Sequence, residues 1–250
     1  PSSAAPQGSL KMWVEINETN VPPEQMAKVW NIEPKPPQEF QMRVCVFDTK
    51  DIKMCDAEGT SDVYIRSFFN SKEALETDTH YRCQTGKASF NYRLNFKVKY
   101  PSKNWTFTVQ AYDRDFFKSN DIIGAAQIEL KKPFDDAELT QRPLRIDKKY
   151  YTKYMRPLQQ PETPALEFEE DGESFWMPMK QIEIDKKKGT KKTVDNGHVR
   201  VRIDITTMEF ADKNKVGSAR DDPNTEPYLP PPVGRIHFTL NPFEMYKQLI

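Results

Sequence analysis

Apolar and polar residues alternate along much of this chain. In NWTFTVQAY (104–112), Trp105, Phe107, Val109 and Ala111 alternate with Thr106, Thr108, Gln110 and Tyr112. Strand side chains point to opposite faces in turn, so the first set suits a core and the second the outer side. SDVYIRSFF (61–69) repeats the pattern, with Val63, Ile65, Ser67 and Phe69 on one face and Tyr64, Arg66 and Phe68 on the other. Six further runs rich in β-branched and aromatic residues read as strands: 41–47, 78–83, 92–100, 122–130, 174–182 and 198–205. Helical periodicity is scarce. Eight short strands parted by turn residues predict an all-β antiparallel sandwich.

Several stretches break the alternation. Residues 131–173 read as an insertion on the sandwich, with a short helix near Asp135–Thr140, a tyrosine-basic run KKYYTKYMR (148–156) and the acidic EFEEDGE. Residues 185–196, DKKKGTKKTVDN, read as a lysine-rich hairpin loop. Residues 211–233 are polar and proline-rich and are expected to run extended. A strand-like leader, SLKMWVEI (9–16), stands before the first strand, parted from it by a proline-containing linker. The expected organisation is a leader over 1–40, a sandwich domain over 41–208 and a tail over 209–250.

Composition narrows the function. The 250 residues suffice for one large all-β domain or two small ones. Lysine plus arginine and aspartate plus glutamate number 37 each, so overall charge makes no case for nucleic acid, and any electrostatic function must come from local patches. The three cysteines, Cys45, Cys55 and Cys83, match no zinc spacing and suit a reduced, cytosolic protein. No apolar run approaches the roughly 20 residues needed to span a bilayer, and no signal peptide opens the chain. Its linker-like start and abrupt end read as a segment of a longer protein. Active-site motifs are missing: there is no G-x-S-x-G, and nine glycines leave little room for a phosphate-binding loop.

The acidic residues are more telling. KMCDAEGTSDVYI (53–65) carries Asp56 and Asp62, and AYDRDFFKSNDIIG (111–124) carries Asp113, Asp115 and Asp121. The spacing is D-x5-D in one loop and D-x-D-x5-D in the other. Sandwich loops cluster at two ends, and the first and fifth strands place both of these at the same end. Like charges at roughly 4 Å repel by about 4 kcal/mol at an effective dielectric near 20. A hard divalent cation removes that cost. Calcium takes six to eight oxygens and tolerates irregular cages, whereas magnesium wants a stricter octahedron. Zinc would want His or Cys, and the histidines are only His80, His198 and His237. Taken singly, each aspartate group is ordinary turn chemistry. Together, at the tips of matching strands, they favour a metal site.

DAEGTSDVYI and YDRDFFKSNDIIG resemble the first and third calcium-binding loops of a C2 domain. ASFNYRLNF (88–96) is similar to that family's asparagine-containing strand start, and the likeness spans about residues 41–207. The leader GSLKMWVEI and the tail from SARDDPNTEPYLPPPVG onward resemble the segments flanking the last, membrane-proximal C2 domain of ferlins. The resemblance implies two or three calcium ions held by Asp56, Asp62, Asp113, Asp115 and Asp121, with carbonyls near Cys55 and Arg114 adding ligands. It also implies a part in calcium-dependent membrane fusion, vesicle traffic, exocytosis or repair. The chain would then lie at the cytoplasmic face of a membrane, with a transmembrane helix following it. The type II C2 arrangement is expected, with 198–205 in the sheet and the leader outside it.

The partner expected is an anionic phospholipid membrane. Phe116 and Phe117 follow the metal ligands at the loop tip, where an exposed ring suits the headgroup region, and Met54 would assist. Lys186, Lys187, Lys188, Lys191 and Lys192 would add about 1 kcal/mol per charge near an anionic surface. DTHYRC is only weakly basic, which argues against phosphoinositide recognition on that face. Two alternatives stand beside this reading: a calcium-independent protein-interaction C2 domain whose partners bind the insertion and the proline-rich tail, and the targeting domain of an enzyme such as a calcium-dependent lipase.

Overall fold

The computed structural model describes residues 36–56, 58–115, 119–161, 163–184 and 190–236, with alternate positions from 12 to 22. It divides into two compact units, Pro1–Pro36 and Pro37–Ile250. All strands among the described residues lie in the second: β1 (Gln38–Lys50), β2 (Ser61–Phe68), β3 (Leu75–Glu76), β4 (His80–Cys83), β5 (Ser89–Tyr100), β6 (Thr106–Asp113), β7 (Asp121–Glu129), β8 (Leu144–Arg145), β9 (Glu167–Phe168), β10 (Phe175–Ile184) and β11 (Lys191–Thr207). One layer is β4-β2-β6-β7 and the other β10-β11-β1-β5, antiparallel throughout. Among the described residues one ladder pair, Lys180 with Ala125, joins them, helped by Gln181 and Asn196 donating to the Ile122 and Ile123 carbonyls. Gly124 permits that seam, since a Cβ there would stand 2.8 Å from the carbonyl carbon of Met179.

The eight expected strands are present. The three others, β3, β8 and β9, have two residues each, too short for alternation to reveal. Alternation sorts the faces as expected: Phe40, Met42, Val44 and Val46 of β1 and Phe107, Val109 and Ala111 of β6 are fully buried. β11 lies between β10 and β1, with Phe40 opposite Thr207 and Lys50 opposite His198. The last strand is therefore in the sheet, as expected. The leader run 9–16 falls largely outside the described residues; Met12, Val14 and Ile16 are exposed and belong to no strand.

The segment 131–173 is woven into the core. Helix α1 (Lys131–Thr140) begins one turn earlier than expected. It closes one end of the sandwich with Phe134, whose ring lies 5.9 Å from Phe40 and 5.1 Å from Trp105. Residues 148–158 form successive helical turns, started by the Asp147 carboxylate accepting from the Tyr150 amide. Tyr151 and Met155 of these turns are buried in the same core.

Two expectations need correction. The hairpin loop is shorter than 185–196, because β10 runs to Ile184 and β11 starts at Lys191. The tail does not run extended. It begins as the helix Met208–Lys213, capped by the Thr207 hydroxyl accepting from the Phe210 amide, and then folds back over β5. The cause is Arg93, fully buried on β5, which donates to the carbonyls of Val216, Thr225 (2.8 Å) and Pro227 (2.6 Å). A proline-rich backbone is short of donors but keeps its carbonyls, and a buried guanidinium with several N–H groups satisfies them. Further along, Arg220 and Arg235 converge on Asp78 at 2.6 and 2.8 Å.

Candidate functional site

The β1–β2 and β6–β7 connections meet at the end opposite α1. Val63 is paired with Asp113, so Asp62 and Asp113 are neighbours across two strands. The Asp113 Oδ1 accepts from the Asp62 amide at 2.6 Å. Asp113 also faces Asp121 across β6 and β7. Its carboxyl is buried, 4% exposed. Burial raises its pKa from the ordinary value, and the charges of Asp56 and Asp62 push it further, against the hydrogen bonds from the Asp62 amide and Ser61. The Cys55 thiol is raised too, by burial first and then by Asp113, with Asp121 adding to it. Asp56, Asp62, Asp113 and Asp121 thus share one electrostatic neighbourhood.

Asp115 is positioned by its backbone. Its amide donates to Asn120 Oδ1 at 3.1 Å, and Asn120 Nδ2 donates to the Tyr64 hydroxyl at 2.9 Å. Arg114 lies over the Tyr64 ring at 4.5 Å and donates its amide to the Asp62 carbonyl at 2.9 Å. Tyr64, Asn120 and Arg114 hold the loop, and only Arg114 was singled out by sequence. Asn120 carries a signal in hindsight, a side-chain amide directly before a strand, where such residues bond the local backbone.

The expected convergence of all five carboxylates is only partial. Among the described residues, no three acidic, thiol or imidazole side chains sit close enough to hold one metal ion. Asp62 Oδ1 accepts from the Arg82 amide at 2.7 Å, and Asp56 Oδ2 from the Thr60 hydroxyl at 3.2 Å. Like-charged carboxylates turn to local donors rather than toward each other. The donor set nonetheless has the chemistry of a hard-cation site. Its side-chain oxygens are carboxylates, and His80 is buried with Nδ1 accepting from the Ser89 amide at 2.9 Å.

The expected membrane contacts fare differently. Phe116 and Phe117 lie outside the described residues, as do Lys186, Lys187 and Lys188. Met54 does not project as expected: it is half-buried and packs against the core. Lys191 and Lys192 are exposed but successive on β11, so they face opposite sides, and Lys192 stands across from Glu183. These two do not make one basic patch.

The C2 domain family profile matches residues 40–146. Human myoferlin is 28% identical over 251 residues, covering 89% of this chain and 12% of that protein. Mouse myoferlin is 27% identical over 254 residues, covering 90% and 12%. The chain therefore spans about an eighth of the length of these curated relatives. Among solved structures, a C2 domain of plant extended synaptotagmin 1 aligns with a TM-score of 0.42 at 12% identity, covering 69% of this chain and 98% of that one. The family and myoferlin matches point to a binding module rather than an enzyme. No helix among the described residues is long and apolar enough to cross a membrane. With the antiparallel sandwich, the profile match identifies a C2 domain over residues 40–146, and the chain is similar to myoferlin over about nine-tenths of its length.

Proposed function

We propose that this chain is a calcium-dependent phospholipid-binding module of a ferlin-like protein that serves membrane fusion, vesicle traffic or repair. The observation that carries this reading is Asp113, a buried carboxyl loaded by the charges of Asp56 and Asp62. Asp56, Asp62, Asp113, Asp115 and Asp121 are the ligands, for two or three ions. Bound calcium supplies positive charge at the loop tips and open positions for lipid phosphate. Asp56 and Asp62 swing from Thr60 and Arg82 to complete the cage. Phe116 and Phe117 enter the headgroup region, and Lys186, Lys187 and Lys188 in the adjoining hairpin add attraction. The site is the cytoplasmic face of a membrane, and the tail leads toward an anchor. The insertion is available to protein partners.

The test is a calcium titration by calorimetry on the chain and on D113N/D115N, repeated with anionic liposomes. Lipid that shares the cation's ligands must tighten apparent calcium affinity by linkage. Binding that the double variant loses, and that tightens with liposomes, is the expected result. Absence of binding in both conditions turns the reading to the calcium-independent protein-interaction domain.

A further inference from the structure

A cavity of about 410 Å³ lies on the outer face of β11, far from the aspartate loops, between β1, β8 and the folded-back tail. Its floor is set by register. Arg202, Asp204 and Thr206 alternate on the outer face of β11, and Asp204 is flanked by Arg43 of β1 on one side and Arg145 of β8 on the other. Two arginines and two carboxylates close a ring. Asp204 accepts from Arg145 Nε (2.7 Å) and Arg202 Nε (2.8 Å), and Glu173 accepts from their Nη1 atoms (2.5 and 2.9 Å). The ring uses the same two nitrogens of each arginine and leaves both Nη2 groups over.

Those two Nη2 groups point at one place. Glu226 Oε2 lies 3.6 Å from that of Arg145 and 3.7 Å from that of Arg202. Both distances exceed a hydrogen bond, and the Glu226 side chain is 75% exposed. Arg202, by contrast, is 4% exposed, and its Nη2 is buried without a hydrogen-bond partner. Thr206, 3% exposed, lines the same cavity with its Oγ1 also unpartnered. Buried donors are rarely left so. Lys213 and Lys215 stand on the tail side of the cavity. Lys213 is itself paired with Glu209 at 2.6 Å, so Glu173, Asp204, Glu209 and Glu226 set four carboxylates against five cations, and the surplus becomes two positive charges when Glu226 turns out to solvent.

We propose that this cavity binds a phosphomonoester group. Its oxygens bridge the two Nη2 groups and take the Thr206 hydroxyl as donor, while Glu226 swings out to solvent. Paired guanidinium N–H groups match phosphate oxygens in number and geometry. A doubly charged phosphomonoester meets the surplus of two charges, and a phosphodiester meets half of it. The site owes nothing to the acidic loops, so it is tested with calcium chelated throughout.

The test is calorimetric titration of the whole chain with glycerol 3-phosphate, a soluble phosphomonoester, in chelator. It is paired with co-sedimentation on phosphatidylcholine vesicles carrying either phosphatidic acid, a phosphomonoester, or phosphatidylserine, a phosphodiester. Binding at about millimolar or tighter is expected. Arg145→Gln should weaken it about tenfold and Thr206→Val about threefold, each deleting a donor to a charged group. Glu226→Gln should tighten it about threefold by removing the competing carboxylate. Binding to glycerol 3-phosphate but not to vesicles assigns a soluble ligand; preference for phosphatidic acid over phosphatidylserine assigns a lipid headgroup. If Arg145→Gln unfolds the chain, as near-ultraviolet circular dichroism will reveal, Thr206→Val and Glu226→Gln decide, since both keep the arginine ring. No binding to either probe, or binding that these variants leave unchanged, overturns the proposal.

Discussion

The two ends of the sandwich are built on opposite principles. At one end α1 lays Phe134 over Phe40, Trp105 and Phe69, with ring centroids 5.1–6.2 Å apart. Tyr100 adds a hydrogen bond to Asp135 at 3.0 Å. At the other end Asp113 and Asp121 face each other across β6 and β7, and Asp56 and Asp62 add their charge to Asp113. The same eight strands feed both ends. The closed end gathers contacts that stabilise the fold, and the open end accumulates charge that destabilises it. Local conflict of that kind marks where a sequence serves something other than folding.

The comparison can be broken most forcefully at the closed end. Phe134→Ala should cost about 3–5 kcal/mol in urea unfolding, since it empties a fully buried aromatic site. Calcium affinity, if measured on the folded variant, should hardly move. Gly124→Ala attacks the seam between the layers, where the new Cβ meets the Met179 backbone. A loss of about 1–3 kcal/mol is expected in the same assay.

At the open end the sign should reverse. Without calcium, Asp113→Asn should stabilise the chain by roughly 0.2–1 kcal/mol, because it removes like charge directly opposite Asp121. It keeps an acceptor for the Asp62 amide. Equal destabilisation at both ends would dissolve the contrast.

The smallest effect belongs to His80. Burial, aided by the Arg235 charge, holds its pKa below the ordinary value, against the charge of Asp78. The unfolded chain takes up the proton first as pH falls, so stability is full above about pH 6.5 and declines through the window below it. His80→Asn, which keeps an acceptor for the Ser89 amide, should flatten that slope in urea midpoints taken across the window.

Alternation made the eight strands legible because each core strand is amphipathic and long enough to repeat. NWTFTVQAY became β6 with Phe107, Val109 and Ala111 fully buried. The aspartate loops were legible because spacing and strand tips together place them. Met54 differs from its expected role because it is half-buried against the core, which its place two residues before Asp56 does not reveal. The tail was misread because prolines speak only for local backbone. Its path is set by Arg93, more than a hundred positions away, whose alternation signal is that of any outer-face residue. The cavity on β11 draws on four separated stretches, and no local pattern announces it.

The most direct test of the central claim is co-sedimentation with phosphatidylserine vesicles, in calcium and in chelator, for the chain and for D113N/D115N. Binding by the parent chain in calcium alone, lost in the double variant, is the predicted result. Binding that persists in chelator, or that the double variant retains in calcium, would contradict a calcium switch at the aspartate end.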